Sequence, residues 1–353
     1  MASQKAGVKP RILHIVRPSA GGIITSLCTL LAVNDAYAEV AASADTCANV
    51  TSRWPATCHV LPDNAFSVRQ SLHTAVHIAR LAKASGFDII HGHGITVLPA
   101  LALSGMLTGL PVVLTLHNVF TASSMQTLIL KLLCGRVHLI AVSDAILASA
   151  RKLGGLSAQR IYNGVSLRDD VVSKGDARKA LGLDASEPLV LSVARLAPEK
   201  GLNVLAAVAE ELPAKVVILG DGPERQSLST NDALHLVGHV ADPWVWYCAA
   251  DVVAVPSLTE GLGLSAIEAI SSGCPVVASN VGGLREVISD DYLGTCVSVG
   301  DAKALASAIS HHLTVGRGSL ADERKRRAYV KSKFSVHGML DGTNALYNRM
   351  MAK

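Results

Sequence analysis

The chain has 353 residues, of which 50% are hydrophobic, 17% charged and 4% aromatic. This length favours two domains with a core each, and the composition excludes a disordered chain. The net charge is only +4, but residues 1–165 carry a balance of +7 and the remainder −3. A basic first half suits an anionic partner, although scattered, solvated Lys and Arg explain the same balance. The small net charge and low aromatic content argue against nucleic-acid binding.

Cysteine and histidine usage limits the chemistry further. The cysteines show no Cys-x-x-Cys pair, so we expect reduced thiols at Cys28, Cys47, Cys58, Cys134, Cys248, Cys274 and Cys296. The 13 histidines have no metal-binding spacing, so neither a metal nor a cofactor is expected. The first residues lack the apolar stretch of a secretion signal, which favours a cytoplasmic protein, free or peripheral to the inner face of the membrane.

One uncharged run, residues 95–116, is long enough to cross a bilayer. Gly109 and Pro111 divide it, however. We therefore predict a buried helix before these residues and a buried strand after them.

Short β-branched runs alternate with helical stretches along the whole chain. In the first half, the predicted strands are RILHIV, EVAASA, TCHVLP, FDIIHGH, PVVLTLH, HLIAVS and RIYNGV. In the second half, they are PLVLSVARL, KVVILGD, LHLVGHV, DVVAVPS, PVVASN and GTCVSVG. Apolar strands separated by helices form parallel sheets, so we predict an α/β protein with two doubly wound, Rossmann-like domains facing each other across a cleft. A polar linker, residues 163–176, joins the domains, and the tail from residue 322 reads as two helices.

Two cations stand where a polyanion would bind. In SVARLAPEKGLNVL, Arg195 follows an apolar strand and Lys200 opens the next predicted helix. A helix N-terminus offers free backbone N–H groups, and a diphosphate carries enough charge for both side chains. The structural alternative is a surface pair between Arg195 and Glu199 beside a solvated lysine.

Two carboxylates lie in an apolar, glycine-rich stretch, VPSLTEGLGLSAIEAISSGCPVVAS (255–279), that contains no Lys or Arg. We predict a strand, a loop with Glu260, and a helix that carries Glu268 and ends at Gly273. An unpaired buried carboxylate is costly, so each glutamate needs a partner from elsewhere. Vicinal sugar hydroxyls suit a carboxylate, so one glutamate could hold a hexose and the other a ribose. A helix-capping loop whose glutamate accepts backbone N–H groups is the alternative.

Five segments within residues 188–288 resemble, in order, the carboxyl-terminal domain of glycosyltransferase family 4, retaining enzymes of the GT-B fold. They are SVARLAPEKG, LGDGPE, LVGHV, DVVAVPSLTEGLGLSAIEAISSGCPVVAS and VGGLREVI. Glu260 and Glu268 match the family's E-x7-E motif, while Leu262 departs from it, because Phe is more frequent there. The resemblance implies an acceptor-binding domain at 1–165, onto which helix 336–353 crosses back, and a nucleotide-sugar-binding domain at 166–335.

The same resemblance implies transfer of a hexose from a nucleotide-diphosphate sugar to a hydroxyl acceptor, with retained anomeric configuration. Arg195 and Lys200 would hold the diphosphate, Glu260 the donor sugar and Glu268 the ribose. The backbone of the loop would approach the sugar and phosphates at Gly261, Leu262, Gly263 and Leu264.

His239 and Val240, after LVG, occupy the segment where the base of the donor rests in similar enzymes. A UDP-sugar is favoured over a GDP-sugar as the donor substrate.

The first half resembles the family more loosely. RILHIVRPSAGGIITSL is similar to the first strand and glycine loop, which implies that Gly21 and Gly22 approach the donor phosphates. His117, after PVVLTL, falls where similar enzymes place a histidine at the reaction centre. His91 and His93 are expected to be structural or to line the acceptor site.

Chemically, the departing diphosphate gains negative charge, which Arg195, Lys200 and a helix end would stabilise in place of a metal ion. The first half offers no evident second catalytic carboxylate, and the family's front-face substitution lets a leaving phosphate oxygen take the acceptor's proton. We expect a role in cell-envelope, polysaccharide or glycolipid synthesis. A nucleotide-sugar 2-epimerase of the same fold and a non-catalytic nucleotide-sugar-binding subunit are the alternatives.

The acceptor is the least constrained partner, and a sugar, a lipid-linked sugar or a small molecule all fit. One helix face carries a basic stripe that could grip an anionic acceptor or a membrane lipid, formed by Arg69, His73, His77 and Arg80. The alternative is a solvated face beside an apolar stripe formed by Val68, Leu72, Val76 and Ala79.

Overall fold

The computed structural model describes residues 9–19, 21–34, 37–61, 68–119, 132, 133, 135, 137–152, 158–168 and 172–352. The chain divides into two compact units. Residues 1–164 and 336–353 form the first unit, and residues 165–335 form the second. A parallel sheet with connecting helices makes up the described part of each unit.

The first unit has a seven-stranded parallel sheet with the order β3-β2-β1-β4-β5-β6-β7. The strands are β1 (Arg11–Val16), β2 (Tyr37–Ala42), β3 (Cys58–Val60), β4 (Ile89–His93), β5 (Val112–Leu116), β6 (His138–Ala141) and β7 (Ala158–Arg160). The strand order reverses between β1 and β4. In doubly wound sheets, this switch point is where polar side chains collect for function.

Helices connect these strands. They are α1 (Gly22–Val33), α2 (Ala44–Thr51), α3 (Val68–Ala84), α4 (Leu98–Thr108) and α5 (Asp144–Lys152). A C-terminal helix, Val336–Met351, also belongs to this unit and packs on its sheet. The shared core joins β1, β4, β5 and β6 to that helix through Ile12, Ile89, Val113, Ile140, Met339, Leu346, Tyr347 and Met350.

The second unit has a six-stranded parallel sheet with the order β10-β9-β8-β11-β12-β13. The strands are β8 (Leu189–Val193), β9 (Lys215–Leu219), β10 (Leu234–Gly238), β11 (Val252–Val255), β12 (Val276–Ser279) and β13 (Gly294–Val297). The helices are α6 (Lys174–Ala180), α7 (Leu202–Ala206), α8 (Arg225–Leu228), α9 (Trp244–Ala249), α10 (Leu264–Ser271), α11 (Leu284–Val287), α12 (Ala302–Val315) and α13 (Leu320–Lys333).

The uncharged run at residues 95–116 forms α4 and β5, as its central Gly109 and Pro111 predict. Gly109 adopts a left-handed conformation (φ 75°) and ends α4. Among the described residues, no helix combines the length and the apolar character needed to cross a bilayer.

The last strand of the first sheet lies earlier than predicted from RIYNGV. β7 ends at Arg160, and Val165 forms only an isolated bridge with Ser335. Between them, Asn163 Oδ1 accepts a hydrogen bond from Ser26 Oγ of α1 at 2.7 Å. A buried side-chain contact therefore replaces ladder pairing in this segment.

The prediction that all cysteines are reduced is wrong for one pair. Cys47 of α2 and Cys58 of β3 form a disulfide, with Cα atoms 5.8 Å apart. Spacing alone did not reveal it, because the pairing of β3 with β2 brings the two residues together. Cys28, Cys248, Cys274 and Cys296 form no disulfide with another described residue, and Cys134 lies outside the described residues.

Candidate functional site

Glu260 lies in the loop between β11 and α10, at the carboxyl end of a central strand. Its Oε2 accepts a hydrogen bond from Lys200 Nζ at 2.7 Å and another from Ser257 Oγ at 3.3 Å. Its Oε1 accepts from the backbone N–H of Gly261 at 3.1 Å. Only 14% of the Glu260 side chain and 25% of the Lys200 side chain are exposed. Lys200, from the turn after β8, is therefore the partner that this enclosed carboxylate requires.

Arg195, the second predicted cation, follows β8 and forms an ion pair with Glu199 one turn further on. The side chains are 49% and 40% exposed, respectively. The structure therefore has the ion pair between Arg195 and Glu199 that was the structural alternative to diphosphate binding. Since exposed ion pairs contribute about 0–1 kcal/mol, a phosphate could displace Glu199 at small cost.

Glu268 lies on α10, eight residues after Glu260. Its Oε2 accepts a hydrogen bond from Tyr247 Oη of α9 at 2.9 Å. Burial raises the pKa of Glu268 to about 7, although the bond from Tyr247 favours the ionised form. Burial and the nearby Glu268 charge also raise the pKa of Tyr247 well above its ordinary value. The carboxyl group is consequently poised to change protonation near neutral pH.

Two buried arginines secure the carboxyl end of α10. Arg317 Nη2 donates to the carbonyl of Ser272 at 2.8 Å, and Arg326 Nη1 donates to the carbonyl of Gly273 at 3.0 Å. These bonds satisfy carbonyl groups that the helix itself leaves without a partner. They fix the helix that carries Glu268.

A pair of glycines supports the loop from behind. A Cβ atom on Gly282 would lie 1.8 Å from the carbonyl oxygen of Glu260. One on Gly283 would lie 2.5 Å from the carbonyl oxygen of Gly261 and 2.6 Å from Leu262 Cα. The VGGLREVI segment therefore packs backbone to backbone against the loop, which only glycine permits.

The other residues predicted to bind the donor surround this loop or follow β10. Gly263 has a left-handed φ of 95° and is the N-cap residue directly before α10. Gly261, Leu262 and Gly263 are buried, and Leu264 is partly buried. His239 is exposed and Val240 half-buried, directly after β10.

In the first unit, Gly21 and Gly22 lie at the start of α1. Gly21 has a φ of 74° and precedes the first helical residue, and both glycines are exposed. A Cβ atom on Gly21 would have no atom of another described residue within 4 Å, apart from its neighbours in the chain. This leaves open space beside the helix N-terminus, as approach to an anion requires.

His117, directly after β5, belongs to a buried cluster of histidines at the switch point. Its Nε2 lies 3.4 Å from His93 Nδ1, and His93 Nε2 lies 3.0 Å from His14 Nδ1. His91 stacks on His93 with ring centroids 4.5 Å apart. Burial lowers the pKa of His14 and of His117 to about 3, and the charge of Arg17 also lowers that of His117. The rings are therefore neutral at physiological pH.

The expected absence of a metal site rested on spacing, but the fold brings His14 of β1 next to His91 and His93 of β4. His14, His91 and His93 each present a nitrogen within 4.8 Å of the others. Every one of these rings is buried. The cluster arises from the pairing of β1 with β4, so no local motif announces it.

The basic stripe proposed on α3 is only partly described, since the side chain of Arg69 lies outside the described residues. His73, His77 and Arg80 are exposed. The predicted apolar stripe is wrong at Leu72, which is 59% exposed. The buried face of α3 lies one position away and consists of Ser71, Thr74, Ala75, Ile78, Ala79 and Ala82.

Three residues that contact the predicted site residues were not themselves predicted from the sequence. Tyr247 holds Glu268, His14 contacts His93, and the Oη of Tyr347 lies 2.6 Å from His91 Nδ1. Their contacts come from neighbouring strands or from the C-terminal helix. No spacing rule links them to their partners.

Two family models match the chain. Glycosyl transferases group 1 matches residues 173–331, and Glycosyltransferase Family 4 matches residues 30–169. Together they span most of the described part of both units.

Curated relatives match about half of this chain. A D-inositol 3-phosphate glycosyltransferase from Xylanimonas cellulosilytica is 36% identical over 227 residues, 54% of this chain and 52% of that protein. One from Mycobacterium tuberculosis is 34% identical over 212 residues, 55% of this chain and 44% of that protein. The chain therefore spans about half the length of the curated relatives it matches.

Solved structures match almost the whole chain. Anabaena Alr3699/HepE, solved in complex with UDP and glucose, has a TM-score of 0.82 at 21% identity and covers 96% of this chain and 100% of its own. A glycosyltransferase from Rickettsia africae ESF-5 has a TM-score of 0.80 at 18% identity, covering 97% and 99%. The two family models and this shared architecture show that the chain belongs to glycosyltransferase family 4 and has the GT-B fold.

Proposed function

We propose that the protein transfers a hexose from a nucleotide-diphosphate sugar to a hydroxyl acceptor, retaining the anomeric configuration and using no metal ion. The observation that carries the proposal is the pair formed by Lys200 and Glu260 at the amino end of α10. Glu268 lies on the same helix. A cation and two carboxylates around one helix N-terminus match the three parts of such a donor: diphosphate, sugar and ribose.

Lys200 is the residue best placed for the diphosphate. Its ammonium group has three donors, and the structure shows one of them engaged with Glu260. A quarter of its side chain is exposed, so an anion can reach it. Arg195 supplies a second cation once its exposed pair with Glu199 opens. Both stabilise the charge that develops on the departing diphosphate.

The carboxylates then bind hydroxyl groups on either side of the phosphates. Glu260 is held in place by Ser257 and Lys200, so it offers a fixed acceptor to the donor sugar. Glu268 receives the ribose when its carboxyl group is ionised. Positioning of this kind supplies catalysis without a protein base, which fits front-face substitution.

UDP is the proposed nucleotide. HepE was solved with UDP, with UDP-glucose, and with UDP and glucose. These ligands, together with the shared fold, support a UDP-sugar as the donor. The relatives named D-inositol 3-phosphate glycosyltransferase support a small, polyhydroxylated acceptor that carries phosphate. A role in polysaccharide or glycolipid synthesis, on or near a membrane, is part of the proposal.

Calorimetric titration tests the donor site first. UDP, GDP, ADP and their glucose conjugates are titrated into the wild-type protein and into Lys200→Ala. We expect UDP compounds to bind most tightly and the variant to lose most of that affinity. No binding of any nucleoside diphosphate to the wild-type protein would refute the donor site.

Product analysis tests the reaction. The protein is incubated with UDP-glucose and a panel of acceptors that includes inositol 3-phosphate, and products are identified by NMR of the anomeric proton. An α-linked product from an α-linked donor supports retaining transfer. Conversion of the donor to its 2-epimer without any acceptor would instead support the epimerase alternative. Binding without consumption would support a non-catalytic subunit.

A further inference from the structure

The histidines at the switch point of the first unit form a connected chain of three rings. His14 Nδ1 lies 3.0 Å from His93 Nε2, and His93 Nδ1 lies 3.4 Å from His117 Nε2. All three rings are buried. A neutral imidazole has one N–H donor and one bare acceptor nitrogen. Each contact therefore fixes which nitrogen carries the proton in the next ring.

One atom decides in which direction the three rings donate their hydrogen bonds. His14 Nε2 is buried and has no hydrogen-bond partner among the described residues. Buried N–H groups without a partner are rarer than bare acceptors without one, because an unused donor loses more on leaving water. His14 is therefore expected to leave Nε2 bare and to carry its proton on Nδ1.

The remaining protons follow in order. His14 Nδ1–H donates to His93 Nε2, so the proton of His93 must be on Nδ1. That N–H donates to His117 Nε2, and His117 must then carry its own proton on Nδ1. The two contacts transmit the choice across three strands, from β1 through β4 to the end of β5.

His91 holds the central ring in place without joining the chain. Its Nδ1 lies 2.6 Å from Tyr347 Oη and its Nε2 lies 2.7 Å from Thr115 Oγ1. Its ring stacks on His93. The C-terminal helix, through Tyr347, thus fixes the plane against which His93 rests.

The same contacts argue against a metal ion among these histidines, although three ring nitrogens lie within 4.8 Å of one another. Both nitrogens of His91 face hydroxyl groups, and both nitrogens of His93 face other imidazoles. Of the six ring nitrogens of these three histidines, only His14 Nε2 has no partner among the described residues. A metal ion with three histidine ligands would have to break at least two of these contacts.

We propose that His14 and His93 are positioning residues that hold His117 in the tautomer with its proton on Nδ1, so that His117 acts as a hydrogen-bond donor and not as a base. Burial lowers the pKa of His117 to about 3, which keeps the ring neutral and the tautomer defined. The link to catalysis rests on the proposed function and on the role that the family resemblance implies for His117. The tautomer itself does not.

Nitrogen NMR reads the tautomers directly. The full-length protein is labelled with ¹⁵N at histidine, and long-range ¹H–¹⁵N correlations are recorded at pH 7.5. Protonated and bare ring nitrogens differ widely in chemical shift. We expect His14, His93 and His117 each to show a protonated Nδ1 and a bare Nε2. A protonated Nε2 on His117 in the wild-type spectrum would overturn the proposal, and so would displacement of these signals by stoichiometric Co²⁺.

Matched substitutions test whether His93 sets the tautomer. The side-chain amide of His93→Asn can donate from the position of Nδ1, so His117 keeps its proton on Nδ1. His93→Asp places an acceptor there instead, so His117 has to carry a proton on Nε2 in order to donate to it. If both variants leave the His117 signals unchanged, His93 does not position this ring.

A second pair repeats the test one ring away, which covers the case in which the His93 variants do not fold. His14→Asn keeps a donor at the position of Nδ1, whereas His14→Asp replaces it with an acceptor. We expect only the aspartate variant to alter the tautomers of His93 and His117. Unchanged tautomers in a folded His14→Asp protein would overturn the direction assigned to the chain.

Kinetics link the tautomer to the reaction. We expect His93→Asp to lower kcat by at least about tenfold, with the KM for the donor little changed, because a misplaced proton affects the reaction more than ground-state binding. His93→Asn should lose less. If the wild-type protein transfers no sugar at all, the proposed function fails while the NMR result still decides the tautomer.

Discussion

Lys200 Nζ lies 2.7 Å from Glu260 Oε2, so the two groups expected to hold different parts of the donor hold each other in this structure. The pair is mostly enclosed. Its carboxylate offsets part of the lysine charge that a diphosphate would feel. Diphosphate affinity at this site is therefore set by the pair, and not by Lys200 alone.

We first predict that substitutions of Lys200 and Glu260 affect UDP affinity differently. Lys200→Ala should weaken UDP binding on the order of 10- to 100-fold, since a charge-assisted hydrogen bond contributes about 1.5–3 kcal/mol. Glu260→Gln should bind UDP at least as tightly as the wild-type protein, because it removes a competing anion, and yet lose most of its turnover. Isothermal titration calorimetry gives the affinities, and an acceptor assay gives the turnover.

Lys215→Ala is the matched control for these variants. Lys215 begins β9, whereas the loop with Glu260 follows the carboxyl end of its parallel strand. Its removal should leave UDP affinity within about twofold, because the opposite end of a five-residue strand lies about 16 Å away, beyond the screening length of about 8 Å. Equal losses in Lys200→Ala and Lys215→Ala would show that the effect is general electrostatics.

The sequence predicted the site's loop and helix well because their signals are local. A strand, a glycine-rich loop and a gly-terminated helix follow one another in the stretch around Glu260, and the structure has them in that order. The sequence indicated that Glu260 needs a partner from another segment, but not which residue this partner is. Lys200 meets it through the pairing of β8 with β11, a contact between distant segments.

The elements that sequence reasoning misjudged depend on contacts between segments. Cys47 and Cys58 pair because β3 joins β2, and His14 meets His93 because β1 joins β4. α3 buries Ser71 and Thr74 and exposes Leu72, so its polarity pattern misplaced the buried face by one position. Small polar residues pack where a neighbouring helix comes close, as α4 does here.

Donor affinity should depend on pH through Glu268. Because burial raises the pKa of this carboxyl to about 7, it is protonated below that pH and ionised above it. Only the ionised form accepts both ribose hydroxyls, so the affinity for UDP-glucose should rise from pH 6 to pH 8. UDP-glucose is the right probe, since it lacks the terminal phosphate that titrates near pH 6.

Tyr247→Phe should move this transition to higher pH, because it removes the hydrogen bond that favours the carboxylate. Glu268→Gln should abolish the transition. Calorimetric titration of all three proteins in half-unit pH steps decides the matter. A midpoint that stays in place in Glu268→Gln would assign the transition to another group.

Gly282 and Gly300 both have a left-handed backbone, but only Gly282 packs against the loop of the site. Comparing their alanine variants therefore distinguishes backbone strain from a steric clash with the loop. Gly282 has a φ of 54° and Gly300 a φ of 76°. A Cβ atom on Gly282 would meet the Glu260 carbonyl at 1.8 Å, while one on Gly300 would meet nothing within 4 Å. Gly300→Ala should therefore cost about 1–2 kcal/mol of stability and leave UDP affinity intact.

Gly282→Ala should cost more than that and also weaken donor binding, because the loop with Glu260 has to move. Urea unfolding and UDP titration of both variants provide the comparison. Similar UDP affinities in Gly282→Ala and Gly300→Ala would mean that VGGLREVI does not support the loop.

Acid should destabilise the first unit through its histidine cluster. Burial lowers the pKa of each of its four members, His14, His91, His93 and His117. The unfolded chain takes up these protons near pH 6.5, whereas in the folded unit His14 and His117 stay neutral down to about pH 3, and the pKa values of His91 and His93 also lie well below 6.5. Stability is thus fully present above pH 6.5 and falls as the pH decreases, by about 1.4 kcal/mol per pH unit for each histidine.

The second unit has an opposing group, which makes the two units distinguishable. Glu268, with its pKa raised to about 7, binds a proton in the folded state that the unfolded chain releases above about pH 4.3, so lowering the pH from 7 to 4.3 stabilises this unit. This stabilisation offsets the loss of stability that His312 causes on acidification, because burial lowers the pKa of His312 to about 4. Hydrogen exchange, corrected for intrinsic rates, should therefore lose protection between pH 7 and pH 5 faster in peptides from β4 than in peptides from β11. His14→Leu removes one of the four buried histidines, so it should reduce the difference between the two strands by the contribution of one histidine. Equal losses of protection in β4 and β11 would contradict the role of the histidine cluster in acid destabilisation.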